Sequence, residues 1–375
     1  MQDIKKRKSV LLIGNCYTTV ASFRREIVIG LVKQGYEVYV AFPNHSHGES
    51  ETGEEFAVET GCHFVEIKMN RRSINIFEEI RSFFQIGRVI KSVEPNCVLL
   101  FTIKPNVYGG MLCGRKGIPY IINITGLGSG LDRGMVSKLL RPLYIQSANK
   151  ANAVLFQNES DHQYFISAGY SNQNALFVPG SGVNLEHYHI LPFPKTDICT
   201  FLYTARVMKE KGIEEFLAAA RAFANDQMVK FEICGDCEEG YNEELAHLDE
   251  MGVVKYHGRV SSVIPYLERC SCVVIPSFYH EGISNCLLEA AACGRPIITT
   301  NHPGCKETVD QGITGYLVKI KDKNDLIRAI KEYLALSMSQ KETMGLAARK
   351  KVEKEFDRKI VVNKYLESIS KIVSK

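Results

Sequence analysis

No stretch of this sequence approaches the roughly 18–20 consecutive apolar residues that cross a bilayer as a helix, so a spanning segment is not expected. Charge of one sign is also scarce. The 46 Lys and Arg face 42 Asp and Glu, a formal net charge of +4, and no long basic run is interleaved with aromatic residues, so no nucleic-acid partner is expected. The 12 cysteines lack the dense framework of a small secreted domain, and Cys234 and Cys237 form a C-x-x-C with no second pair at zinc spacing. Structural thiols in a reducing cytoplasm are the expectation. The first apolar run lacks the G-x-G-x-x-G of a dinucleotide-binding dehydrogenase, Gly14 standing alone.

What is present is an ordinary globular composition, 45% hydrophobic and 23% charged. The 375 residues suffice for two domains at about 100–200 residues each. The small positive excess lies in the first half: residues 1–195 hold 21 basic and 16 acidic side chains, the remainder 25 and 26. The opening "KKRKSVLLIGN" starts like a leader, but its apolar stretch stops at Ile13 without a small-residue cleavage site, and it is expected as a first strand.

From that strand the chain reads as β, α, β: a polar loop, a helix with Phe23, Ile27, Gly30 and Leu31 on one face, Gly35 at its end, and a strand from Glu37. Further strands are expected at "HFVEIKM", "CVLLFTI", "YIINIT" and "AVLFQN", with helices at 76–93, 108–116 and 136–148. This alternation predicts a mainly parallel, helix-covered sheet. The Pro- and Gly-rich "VPGSGVNLEHYHILPFPKTD" interrupts it, after which "TFLYTARV", "KFEICG", "VKYHGRV", "CVVIPS", "PIITT" and "GYLVKI" restart it. The expected architecture is α/β with two Rossmann-like domains facing across a cleft, 1–184 and 199–355, a linker at 185–198, and a terminal helix at 356–375 that packs back on the first domain.

Ligands of open α/β sheets sit beyond the carboxyl ends of the strands, so the loops after strands matter most. After "CVVIPS", Ser284 is a suitable N-cap for a helix from Asn285 to Cys293 with Gly294 as its stop. Glu281 then precedes the helix and Glu289 lies on its second turn. Eight residues of helix rotate by ~800°, leaving the two about 80° apart, so they do not share a face. They could border one ligand, with the amides of Gly282, Ile283 and Ser284 aimed at a phosphate and Glu289 at a ribose. Spacing alone leaves open that Glu289 is a partly exposed helix residue and Glu281 an answer to the helix dipole. Likewise Arg206, at a strand end, and Lys211, at the next helix start, suit a diphosphate but also read as solvated surface cations. Gly235-Asp236 closes the next strand, where a glycine permits close approach to a ligand. His45, His47, His187 and His189 alternate in polar loops and read as surface residues. The helices at 76–93 and 136–144 mix apolar and basic residues, a pattern of sheet cover or of membrane contact.

The stretches "TARVMKEKG", "ICGD", "YHGRV", "HEGISNCLLEAAACGRPIITT", "GCKETV" and "GITGYLV" resemble the carboxy-terminal half of glycosyltransferase family 4, enzymes of the GT-B fold. "IKPNVYGG", "GIPYIINITGLGSGL" and "FQNESD" resemble bacterial members that extend polyprenyl-diphosphate-linked glycans. The resemblance implies retaining transfer from a nucleoside-diphosphate sugar, UDP foremost, with no metal or other cofactor. The expected acceptor is a polyprenyl-diphosphate-linked saccharide, met at the inner face of the cytoplasmic membrane. It assigns Arg206 and Lys211 to the diphosphate, Glu281 to the donor sugar and Glu289 to the ribose. Gly282, Ile283 and Ser284 fall to the phosphate, Gly235 and Asp236 to the donor, and Gly14 to the space opposite it. Lys104, Asn106, Thr125 and Gly126 fall on the acceptor side. The His that related enzymes carry after "LLFTIKPN" is missing: Thr102, Ile103 and Lys104 stand there. No side chain is therefore assigned as general base. A nucleotide-sugar 2-epimerase and a non-catalytic partner subunit are the competing readings.

Overall fold

The computed structural model describes residues 7–44, 51–70, 75–127, 135–238 and 240–374. His45, His47 and the part of "TGLGSG" beyond Leu127 lie outside the described residues. The chain forms two compact units, Met1–Ser181 with Lys359–Lys375, and Gly182–Arg358.

The first unit holds a seven-stranded sheet built from β1 (Ser9–Ile13), β2 (Glu37–Phe42), β3 (His63–Glu66), β4 (Cys97–Phe101), β5 (Tyr120–Ile124), β6 (Ala153–Phe156) and β7 (Ala175–Phe177). Its order is β3-β2-β1-β4-β5-β6-β7 and every pair is parallel. β1, β4 and β5 are buried at every position. Strands covered by helices on both faces read as unbroken apolar runs, which is why "SVLLI" and "CVLLF" do not alternate. The helix Arg358–Val373 brings Val361, Tyr365 and Ile369 into one of this unit's cores, beside Val10, Leu12 and Phe101.

The second unit holds β8 (Cys199–Thr204), β9 (Val229–Cys234), β10 (Lys255–Tyr256), β11 (Cys272–Ile275), β12 (Ile297–Thr300) and β13 (Gly315–Val318), ordered β10-β9-β8-β11-β12-β13 and again all parallel. Both sheets reverse direction of growth once, at β1/β4 and at β8/β11. At such a point the two adjacent strands send their connections to opposite sides, leaving a crevice at their carboxyl ends.

Several boundaries differ from expectation. Residues 185–198 belong to the second unit and are packed on it: Leu191 and Phe193 are buried, and Leu191 N–H donates to the Cys293 carbonyl at 3.2 Å. Arg295, 0% exposed, donates to the carbonyls of Pro192 and Leu267, both at 2.7 Å, which ties this segment down without a carboxylate. Burial accordingly holds the Arg295 pKa below its ordinary value. β8 stops at Thr204, short of Arg206, because Val207 N–H turns to the Asp236 carbonyl at 2.7 Å. Helices Lys323–Leu334 and Met338–Glu355 precede the terminal one.

Candidate active site

The loops after β8 and β11, the strands flanking the second sheet's reversal, carry Arg206, Lys211 and Glu281. They are stitched together by the backbone. Phe278 N–H donates to the Glu210 carbonyl at 2.8 Å, and the Ser277 hydroxyl donates to the same oxygen at 3.3 Å. Gly212 sits at φ +77°, and a Cβ there would lie 2.2 Å from the Pro276 carbonyl oxygen. Only glycine lets the two loops approach this closely.

That approach places the Lys211 ammonium 2.7 Å from a Glu281 carboxylate oxygen. Lys211 is only 5% exposed. Burial opposes its charge, but Glu281 beside it holds the Lys211 pKa above the ordinary lysine value. Arg206 pairs with Glu238 at 2.9 Å, and against the cost of burial that carboxylate likewise holds the guanidinium pKa up. The ring of Tyr279 lies beside both cations, 5.4 Å from the Arg206 guanidinium and 5.3 Å from Lys211 Nζ.

Glu289 projects from the helix Asn285–Ala292 that follows. Burial pushes its carboxyl up to about 7, with the nearby Tyr188 and Arg358 acting in the opposite direction. Cys286 stands between the two glutamates: burial raises its thiol to about 12, and Glu289, Lys211 and Glu281 all act on it. Glu281 lies in the loop before the helix and Glu289 on it, and both act on the Cys286 thiol between them. The loop after β12 braces Glu281. Gly304, at φ +87°, would place a Cβ 2.5 Å from the Glu281 carbonyl oxygen, and its own amide is held by Glu307 at 2.8 Å.

The other expected site residues stand as follows in the fold. Ser284 is the N-cap residue but makes no side-chain capping bond, and its amide donates to the Gly304 carbonyl at 2.8 Å, so it is not available to a phosphate. The close approach at Gly235 is to protein: a Cβ there would lie 1.9 Å from the Ala205 carbonyl oxygen. Asp236 is exposed and faces Arg259 at 3.4 Å. Gly282 and Ile283 are buried in the loop before the helix.

In the first unit, Gly14 follows β1, donates to the Ala41 carbonyl at 3.0 Å, and would place a Cβ 2.7 Å from Val20. Asn106 is fully buried and donates to the Asn123 carbonyl at 2.9 Å and to the Tyr144 hydroxyl at 2.7 Å. Lys104 binds Glu79 and the Asn70 carbonyl, the latter at 2.8 Å. Thr125 and Gly126 follow β5, with Gly126 at φ +104°. Sequence reasoning did not single out Tyr188, Tyr279 or Gly304. Of these only Tyr279 carried a local signal, its place two residues before Glu281.

Two cations and two acidic side chains thus gather on the elements that follow β8 and β11, the strands at the second sheet's reversal, where ligands of open α/β sheets sit. Known proteins specify the family. Residues 199–335 match the family model described as "Glycosyl transferases group 1" and residues 9–158 the one described as "Glycosyl transferase 4-like". The chain belongs to this glycosyltransferase family. It is 25% identical, across 96% of its length and 98% of the relative, to the N,N'-diacetylbacillosaminyl-diphospho-undecaprenol alpha-1,3-N-acetylgalactosaminyltransferase of Campylobacter jejuni. It is 22% identical, over 69% of its length and 71% of the relative, to the UDP-Gal:alpha-D-GlcNAc-diphosphoundecaprenol alpha-1,3-galactosyltransferase of Escherichia coli. Among solved structures, sucrose-phosphate synthase from Thermosynechococcus elongatus superposes with a TM-score of 0.80 at 18% identity, covering 98% of this chain and all of that one. HepE of Anabaena, solved with UDP and glucose, gives 0.78 at 15% identity, covering 97% and 100%. The fold is GT-B.

Proposed function

We propose that this protein moves a hexose or N-acetylhexosamine from a UDP-sugar to a polyprenyl-diphosphate-linked saccharide, with retention of anomeric configuration and without a metal, at the inner face of a bacterial membrane. The observation that carries the reading is the Lys211–Glu281 pair beside Arg206. Lys211 and Arg206 meet the diphosphate and take up the charge that builds on it as it departs, the service a metal would otherwise supply. Glu281, held by Lys211, accepts hydrogen bonds from the donor sugar's hydroxyls, and Glu289 accepts them from the ribose. In the transfer, the bond from C1 to the phosphate oxygen breaks and a bond from C1 to the acceptor oxygen forms on the same face. The acceptor proton passes to the departing diphosphate, so no side-chain base is required where Thr102, Ile103 and Lys104 stand in place of the family's histidine. The acceptor class is supported by the two relatives named for diphospho-undecaprenol saccharides.

The test is thermal unfolding with UDP, GDP, CDP and ADP, on the wild type and on Glu289→Ala. A ligand at about 100 times its Kd adds about 2.7 kcal/mol. UDP should raise the midpoint of the wild type and not of the variant, and product analysis with UDP-sugars should show transfer rather than epimerised donor. A shift that survives the substitution would remove Glu289 from the site.

A further inference from the structure

Helix Ile76–Val93 carries two apolar faces. One, with Ser82, Ile86, Val89 and Ile90, is buried. The other is in solvent: Ile76 is 64% exposed, Phe77 77%, Ile80 46% and Phe84 60%. At about 100° per residue these four fall within a single arc of about 100°, across the axis from the buried set. The remaining exposed large hydrophobic residues of the described chain come singly or, at Leu176 and Phe177, as a pair. Isolated ones are ordinary, but a contiguous group on one helix face marks a contact surface.

Charge around the arc is of one sign. By the same rotation Lys91 falls within it and Arg88 and Arg81 along one border, all three exposed and without a carboxylate partner among the described residues. The two acids of the helix, Glu78 and Glu79, lie outside the arc, and Glu79 is taken by Lys104 and Tyr108.

We infer that this face seats the protein on an anionic lipid surface, with Ile76, Phe77, Ile80 and Phe84 entering the headgroup boundary and Arg81, Arg88 and Lys91 meeting lipid phosphates. The choice of a bilayer over a second copy of this chain follows from the charge, since a self-paired face would bring its own cations together. It also follows from the degree of exposure: aromatic side chains this solvated project outward, as suits insertion between lipids. The surface stands on this helix alone; its service in reaching a lipid-borne acceptor rests on the transferase reading.

The experiment is cosedimentation with phosphatidylcholine vesicles, with and without about 30% phosphatidylglycerol, beside the UDP-induced unfolding shift as a separate readout. The wild type should favour the anionic vesicles and lose binding as salt rises. The double variant Phe77→Ser/Phe84→Ser should bind about tenfold more weakly, and Arg81→Gln/Arg88→Gln/Lys91→Gln should abolish the anionic preference, both with unchanged unfolding midpoints. Wild-type protein that ignores both vesicles, or a phenylalanine variant that binds as well, overturns the inference. So does a concentration-dependent dimer that the phenylalanine variant dissolves in the absence of vesicle binding. Vesicle binding without a UDP shift would fault the transferase reading and leave the surface standing; a UDP shift without vesicle binding does the reverse.

Discussion

Lys211 and Glu281, 70 residues apart in sequence, meet at 2.7 Å because the loops after β8 and β11 share one crossing point. Burial opposes the Lys211 charge, and Glu281 holds it in place. Removing one partner strands the other's charge, which costs about 3–5 kcal/mol where burial is complete. Lys211→Met should destabilise by about 3 kcal/mol, near the low end because Glu281 retains some exposure. Adding Glu281→Gln should restore much of that stability, yet transfer should remain at least about a hundredfold down, since the charge opposing the leaving diphosphate is gone. Urea unfolding and steady-state rates on the two variants check this; a double variant that recovers activity would make the pair purely structural.

Glu289 makes stability pH-dependent in the sense opposite to most carboxylates. Its folded pKa, about 7, lies above the ordinary 4.5, so between those values the folded state binds the extra proton and stability falls as pH rises. The contribution of the neutral carboxyl is fully present below the unfolded pKa and lost as pH passes the folded one. Wild type minus Glu289→Gln, followed by urea unfolding from about pH 5 to about pH 8, should therefore decline by on the order of 2 kcal/mol. A flat difference would mean the carboxylate is already solvated and charged.

Much of the fold is legible because the central strands are continuous apolar runs between glycine-marked turns, as at "SVLLI" before Gly14 and "FEIC" before Gly235. The helix Met338–Glu355 is not, since it buries only Met344, Gly345, Ala348 and Val352 and offers little contrast between its faces. At the site, residue types and order pointed to Arg206, Lys211, Glu281 and Glu289, with family resemblance giving them roles. What a sequence cannot show is which backbone groups are already taken. The Ser284 amide finds Gly304, twenty residues on, and Tyr188 reaches Glu289 from a stretch whose prolines read as a linker. Both depend on non-local packing.

Tyr279 places one ring beside two like charges, and that is its expected use: it holds Arg206 and Lys211 together before a diphosphate arrives. A ring–cation contact is worth roughly 0.5–2 kcal/mol. Tyr279→Leu should thus weaken UDP binding by about tenfold, whereas Tyr279→Phe, which retains the ring and loses only the hydroxyl, should weaken it about threefold or less. Calorimetric titration separates the cases. Equal losses in the two variants would shift the role from the ring to the hydroxyl.

Thr102 stands at φ +72°, ψ 163°, where a β-branched residue is strained, and its hydroxyl is buried without a hydrogen-bond partner among the described residues. It opens the helix Ile103–Lys116 without a side-chain capping bond, so no cap compensates the conformation. Such strain costs about 1–3 kcal/mol, and glycine relieves it at an entropic cost of about 0.5–1 kcal/mol. Thr102→Gly should therefore stabilise the protein by about 1 kcal/mol. Strain of this kind collects where function holds it, and Thr102 follows β4, beside β1 at the first sheet's reversal. The same variant should accordingly lose transfer activity by about tenfold while its unfolding midpoint rises, a trade that stabilising changes at working sites commonly show. Loss of both stability and activity would instead make Thr102 a packing residue, and a gain in stability with full activity would leave the strain without a catalytic purpose.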